Sequence, residues 1–324
     1  MPITLTETLN NLYTTTWELR KGKAHDNIFT ATPFWFWMKE KGRFRTESGG
    51  RFLMEPIEYD KNTDLSWVTK GDAVSLNDYE FLTESKWDWK YLVASLVRFG
   101  IDDQQNRGKA RIISLMNAKL NNTENSLVDT LETRLFGTVS GDSILGLQRL
   151  VPDDPTASQA VGGLNPSAGN QTYWRNQKHT LTGVSFSVSG VAEMRTMLNE
   201  CMTNRTSDKP DIILTAQTPY EYYEDETMEQ KQIVNKKLGD AGFTNIEFKG
   251  IPMVWSPACA SSRMYFLNTN FLHFIYDPML NFDMTEWKAI PDQVNDRAAQ
   301  IILACMFIVT RRLCQGIIYA IDTA

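Results

Sequence analysis

The sequence predicts an α+β protein, and three observations carry that reading. They are a long amphipathic helix over residues 102–137, an alternating strand over 86–99 that feeds into it, and a separate run of short helices and strands over 181–290. In the helix, apolar residues recur at Ile113, Met116, Leu120, Leu127, Leu131 and Leu135, in steps of three, four or seven. Asp102 and Asp103 supply an N-terminal cap and a favourable charge for the helix dipole. Gly137 stands where a helix end commonly takes a left-handed residue. The polar run Asn121 to Ser126 interrupts the stripe, with Glu124 in the inward register. At 1.5 Å per residue this spine is roughly 50 Å long. It is too polar to span a membrane and too short for a sustained coiled coil, so it needs the rest of the chain wrapped along one side.

The other elements follow in order. Leu5, Leu9, Leu12, Tyr13 and Trp17 predict a short helix in a polar arm, one that buries little by itself and needs a partner surface. Phe34-Trp35-Phe36-Trp37-Met38, behind Pro33, would present rings on every side of a short helix, which predicts core packing rather than ligand stacking. Residues 48–85 read as a hairpin-like excursion: a strand over Arg51–Tyr59 with Pro56 at an edge or bulge, a turn, a short strand over Leu65–Val68, and a turn at Lys70-Gly71-Asp72. A two-stranded hairpin is marginal in water, so a neighbouring subunit is its expected stabiliser.

In the strand 86–99, Trp87, Trp89, Tyr91, Val93, Val97 and Phe99 share one face. Leu92, Ala94 and Leu96 fill the other midway, which predicts burial on both sides. Residues 138–180 are rich in Gly, Pro, Ser and Asn without periodicity, a loop length that is usually functional or mobile. Beyond them, Val191, Met194, Leu198 and Met202 space a helix, and Asp211–Thr215 reads as a buried strand. Thr218-Pro219-Tyr220-Glu221 reads as a capping box opening a helix towards Ile233 or Leu238. Strands are expected over 246–248, 251–255, 263–267, 271–276, 299–310 and 316–321.

Composition narrows the function. The chain has 324 residues, 42% hydrophobic and 22% charged, as globular proteins do. Its net charge of −6 argues against a dedicated nucleic-acid binder. Cys201, Cys259, Cys305 and Cys314 lack metal-ligand spacing and are expected as buried free thiols. No signal-like N-terminus is present, and the longest apolar run, Ile301 to Val309, is far too short to span a bilayer, so the chain reads as a soluble protein made in the cytoplasm. Phosphate-loop, dinucleotide, zinc-protease and serine-elbow motifs are missing. His25, His179 and His273 are scattered, with His273 expected as structural. Glu221, Glu224, Asp225, Glu226 and Glu229 read as a solvated helix face, Asp153-Asp154 as a turn, and Arg311-Arg312 as an ordinary strand-end pair. The expected catalytic, cofactor and metal residues are therefore none.

The order of these elements resembles the major capsid proteins of tailed double-stranded DNA phages, which share the Hong Kong 97 fold. The resemblance rests on the arm, the Gly49-Gly50 entry to the excursion, the long strand, the spine helix, and Gly162-Gly163-Leu164 followed by Tyr173-Trp174-Arg175-Asn176. It extends to Gly250-Ile251-Pro252-Met253-Val254-Trp255 and Met264 to Thr269. It implies an N-terminal arm at 1–47, an extended loop at 48–85, a peripheral domain at 86–180 containing the spine, and an axial domain at 181–263. A return to the peripheral domain at 264–315 and a final axial strand at 316–324 complete it.

The same resemblance implies a non-enzymatic protein of the virion that self-assembles as pentamers and hexamers into an icosahedral shell around DNA. Scaffolding, portal and possible decoration proteins would be its partners. Arg51, Phe52, Trp67 and Lys70 are the expected interface residues, chosen by their place in the loop. Some members cross-link a loop lysine to an asparagine of another subunit. Lys61 and Lys70 lie in that region, but neither the partner nor the surrounding acid is matched. Two alternatives stay open: an encapsulin-like compartment for protein cargo, and a two-domain α/β hydrolase using Asp153, Asp154 and His179.

Overall fold

Aromatic residues near the N-terminus decide where the core lies. The computed structural model describes residues 5–62, 64–73, 80–101, 109–138, 141–156, 159–202, 208–227, 246–291, 293 and 296–322, with backbone only at 5–9, 109–114 and 116. Helix α1 (Leu5–Thr30) is far longer than the short helix expected. It buries Tyr13, Trp17, Ala24, Ile28 and Phe29 in one stripe against the chain's own body. The arm therefore finds its partner surface within the subunit, because these large side chains recur on a single face. Helix α2 (Pro33–Glu40) opens on proline, which suits a first helical position. Its Trp35 packs edge-on to Phe274 at 5.1 Å and Phe307 at 5.8 Å, in the core.

The first sheet joins β1 (Phe44–Thr46), β4 (Lys90–Arg98), β10 (Leu272–Met284), β11 (Lys288–Ala289) and β12 (Arg297–Val309). Strand β12 is its centre, pairing antiparallel with β10 on one side and β4 on the other. A separate two-stranded sheet pairs β2 (Phe52–Glu58) with β3 (Leu82–Asp88), from Phe52 opposite Asp88 to Glu58 opposite Leu82. Two expectations are corrected here. Leu65–Val68 forms no strand; the return strand lies at 82–88. The strand predicted over 86–99 breaks at Trp89 and serves two sheets, so its buried side switches from Ser85 and Trp87 to Leu96 and Arg98. Tyr91, Val93 and Phe99 face outward as a result.

The spine is α3 (Lys109–Phe136), and the single turn α4 (Leu147–Leu150) follows it. Leu120, Leu127, Leu131 and Leu135 bury as the periodicity requires, while Asp102, Asp103 and the side chains of Ile113 and Met116 lie outside the described residues. Gly137 is not left-handed; the helix ends in a tight turn in which its N–H donates to the Arg134 carbonyl at 3.3 Å. Glu132 is buried, and its carboxylate accepts from Ser256 Oγ at 2.6 Å. Desolvation raises its pKa, partly offset by the Ser256 hydroxyl.

The second sheet has six strands in the order β5, β13, β9, β6, β8, β7. These are β5 (Gln177–Thr180), β6 (Ile212–Thr215), β7 (Ile246–Phe248), β8 (Ile251–Trp255), β9 (Met264–Leu267) and β13 (Gly316–Tyr319). The expected boundaries at 180 and 263 therefore cut through this sheet, since β5 and β9 both belong to it. Ile212 and Leu214 join the core shared with the spine, whereas Ile213 packs in a second core under α5 (Phe186–Cys201) and α6 (Gln217–Thr227). Helix α6 starts at Gln217, two residues before the Pro219 start that a Thr218 cap requires, so Thr218 lies inside the helix instead of capping it, and Glu221 accepts from the Gln217 side-chain amide at 2.7 Å. Its expected continuation to Ile233 or Leu238, and Glu229, lie outside the described residues.

Candidate assembly interface

The hairpin β2–β3 has a rigid root and an uncovered end. At the root, the Lys86 N–H donates to the Gly162 carbonyl at 2.8 Å. Trp87 Nε1 donates to Ser85 Oγ at 2.9 Å, and Ser85 Oγ donates to the Glu55 carbonyl at 3.2 Å. Gly162 has a φ of 60°, and a Cβ there would stand 2.9 Å from the Trp87 ring. Trp174 Nε1 donates to the Val161 carbonyl at 2.9 Å, and its ring is fully buried. The glycine-rich stretch after the spine thus holds the hairpin to the body. A cleft of about 470 Å³ remains between hairpin and body, and Tyr59 stacks on Tyr173 at 5.1 Å beside it.

The four expected interface residues separate into two pairs. Arg51 and Phe52 meet at the root, where the Phe52 ring lies 5.0 Å from the Arg51 guanidinium and 3.7 Å from the Lys86 ammonium. Trp67 and Lys70 lie in the loop between the strands, both exposed. Trp67 has no covered surface, and Leu65 is 82% exposed. Lys61 is exposed as well. Tyr91 and Val93 on β4 and Val191 on α5, expected on buried faces, point outward, and Val184 and Val188 extend the exposed apolar surface around α5. A valine run on a helix face gives no signal of its own until the other face is known to be buried.

The residues named for a hydrolase do not converge on a reacting group. Asp153 pairs with Arg263 at 2.5 Å, Asp154 with Lys178 at 3.3 Å, and His179 with Glu193 at 2.7 Å and Glu200 at 2.9 Å. Burial pushes the thiols of Cys259 and Cys305 up to about 12 and that of Cys314 to about 11, which suppresses the nucleophilic thiolate. Arg311 pairs with Asp208 at 2.9 Å, and Arg312 is buried, donating to the Leu150 carbonyl at 2.8 Å. Burial, with Arg149 nearby, pulls Arg312 down to about 9; the ion pair and the carbonyl contact tie both arginines into the fold. His273 is buried against Arg45, and desolvation followed by Arg45 and Arg43 lowers it to about 4. No group of three or more metal-ligating side chains occurs among the described residues, and none of their helices is long and apolar enough to cross a membrane.

No family model matches the chain, and no curated protein is similar to it in sequence. Solved structures are similar to it in fold. A chain of the cyanophage A-1(L) capsid asymmetric unit superposes with a TM-score of 0.65 at 15% identity, over 87% of this chain and 91% of that one. A chain of the satellite phage P4 procapsid that includes the size-determination protein gives 0.54 at 9% identity, over 94% and 91%. The holo-SrpI encapsulin complex from Synechococcus elongatus PCC 7942 gives 0.55 at 10% identity, over 88% and 87%. The chain has the Hong Kong 97-type fold, of mixed α+β class, as the order of its elements suggested.

Proposed function

We propose that this chain is a capsid protein whose copies close into an icosahedral shell around phage double-stranded DNA. One observation carries the reading: on a fold similar to capsid subunits, the hairpin projects a polar loop whose Leu65 and Trp67 are covered by nothing among the described residues. In a closed symmetric assembly each such patch meets a complementary one on a neighbour. Virion localisation and scaffolding, portal and decoration partners follow from the same reading, as does a non-enzymatic role. The net charge of −6 suits a shell that does not hold its cargo tightly. The functional division is an arm at 1–47, an extended loop at 48–85, and peripheral and axial units. Strands β5 and β9 are assigned to the axial unit because they pair in its sheet.

The test is electron microscopy of the purified full chain, alone and co-expressed with its neighbouring genes. Closed shells, or uniform pentamers and hexamers, support the reading. Removing 60–73 should block shells while leaving a folded subunit, and intact shells from that variant would overturn the role of the loop. The similarity to an encapsulin favours a second reading, a compartment for protein cargo. Nucleic acid or protein recovered from purified shells separates the two.

A further inference from the structure

The polar interruption of the spine and a strained point in β10 are held by the same helix. Between the pairs Tyr276–Cys305 and Asp283–Ile302, β10 advances seven residues while β12 advances three, so β10 carries a large bulge. Within it Phe282 is fully buried at a φ of 52°, a left-handed conformation costly for a bulky residue. The adjacent Asn281 Oδ1 is buried with no hydrogen-bond partner among the described residues.

Helix α1 supplies the contacts that hold this point. Trp17 Nε1 donates to the Phe282 carbonyl at 2.8 Å in a buried setting, and Lys21 pairs with Asp283 at 2.9 Å. The Phe282 ring packs against His25 at 6.1 Å and Phe29 at 6.2 Å. Residues 17, 21, 25 and 29 recur every four positions, so one helix face grips one bulge. Beside that face, Arg20 donates to Asn121 Oδ1 at 2.5 Å and pairs with Glu124 at 3.1 Å. Those are the polar residues that break the apolar stripe of the spine. Thr14, Thr15, Thr16 and Gly22 lower the intrinsic helix propensity of α1, which makes the helix dependent on docking.

We propose that α1 is a releasable clasp that holds the β10 bulge in its strained form and couples it to the spine helix at Asn121 and Glu124. Release of α1 would remove the groups that keep Phe282 left-handed and free the bulge to relax, at the same time as the spine loses its polar partner. The arm's docking state is thereby transmitted to the first sheet. This holds whether or not the chain builds shells.

Hydrogen exchange on the full-length protein tests it. Trp17→Phe keeps a ring and removes the donor; it should speed amide exchange over 277–284 about fivefold, the worth of one buried hydrogen bond. Strands β6 and β9 should be unchanged. Arg20→Ala, which cuts only the spine side, should speed 277–284 about twofold, as expected for a partly exposed ion pair. It also serves if Trp17→Phe fails to fold. Unchanged exchange over 277–284 in Arg20→Ala would overturn the coupling. Equal acceleration across both sheets in either variant would overturn the clasp, because α1 would then be ordinary core.

Discussion

Two tryptophans of the hairpin region differ as far as a protein allows. Trp174, at the root, is completely buried and donates a hydrogen bond to Val161, whereas Trp67, in the loop, is fully exposed. Burying a large aromatic stabilises by roughly 1.5–3 kcal/mol relative to leaving it in water. The root gains that within the subunit; the loop can gain it only from another molecule. The hairpin thus runs from a root anchored on its own subunit to a loop that leaves Trp67 uncovered.

The largest effect is expected at the root. Trp174→Ala should cost about 3–5 kcal/mol of subunit stability in denaturant titration. A cost below about 1 kcal/mol would mean the root is not the anchor. Gly162→Ala should cost about 1–3 kcal/mol, because it adds a Cβ against the Trp87 ring at a left-handed position. Its shells, if they form, should show a displaced hairpin.

A pH-dependent effect is expected where the hairpin meets the first sheet, since Arg45 pairs with Glu55 of β2 at 3.3 Å and contacts His273 of β10 at 3.0 Å. The folded His273 pKa lies below its ordinary 6.5, at about 4. The unfolded chain therefore binds more protons between those values. The contribution is complete above pH 6.5 and is lost as the pH falls towards 4. His273→Gln should flatten this part of the stability profile, measured by denaturant midpoints at pH 7 and pH 5. At the small end, Trp67→Ser should change subunit stability by no more than about 0.5 kcal/mol yet abolish or slow shell formation. Normal assembly kinetics in that variant would remove Trp67 from the interface.

Periodicity alone located the spine, since Leu120, Leu127, Leu131 and Leu135 share one face at any helical pitch near 3.6. The aromatic cluster at 34–38 was legible for a similar reason: a helix apolar all round has nowhere to be but inside. The loop was legible as a region, through its turn residues and weak apolar content. Its return strand at 82–88 was not, because a strand is recognised by its partner and the pairing of Phe52 with Asp88 spans 36 positions. The break at Trp89, which turns Tyr91 and Val93 outward, likewise depends on which sheet each half joins.

What the sequence by itself determined was the inventory: the spine, the buried aromatic helix, the buried free thiols and the fold class. These follow from local spacing and residue chemistry. Only the tertiary structure decided that the arm packs on its own subunit, that Glu124 faces Arg20, and that Phe282 is held left-handed beneath Trp17. Each of those joins residues more than a hundred positions apart, and at that separation only packing in three dimensions chooses the partner.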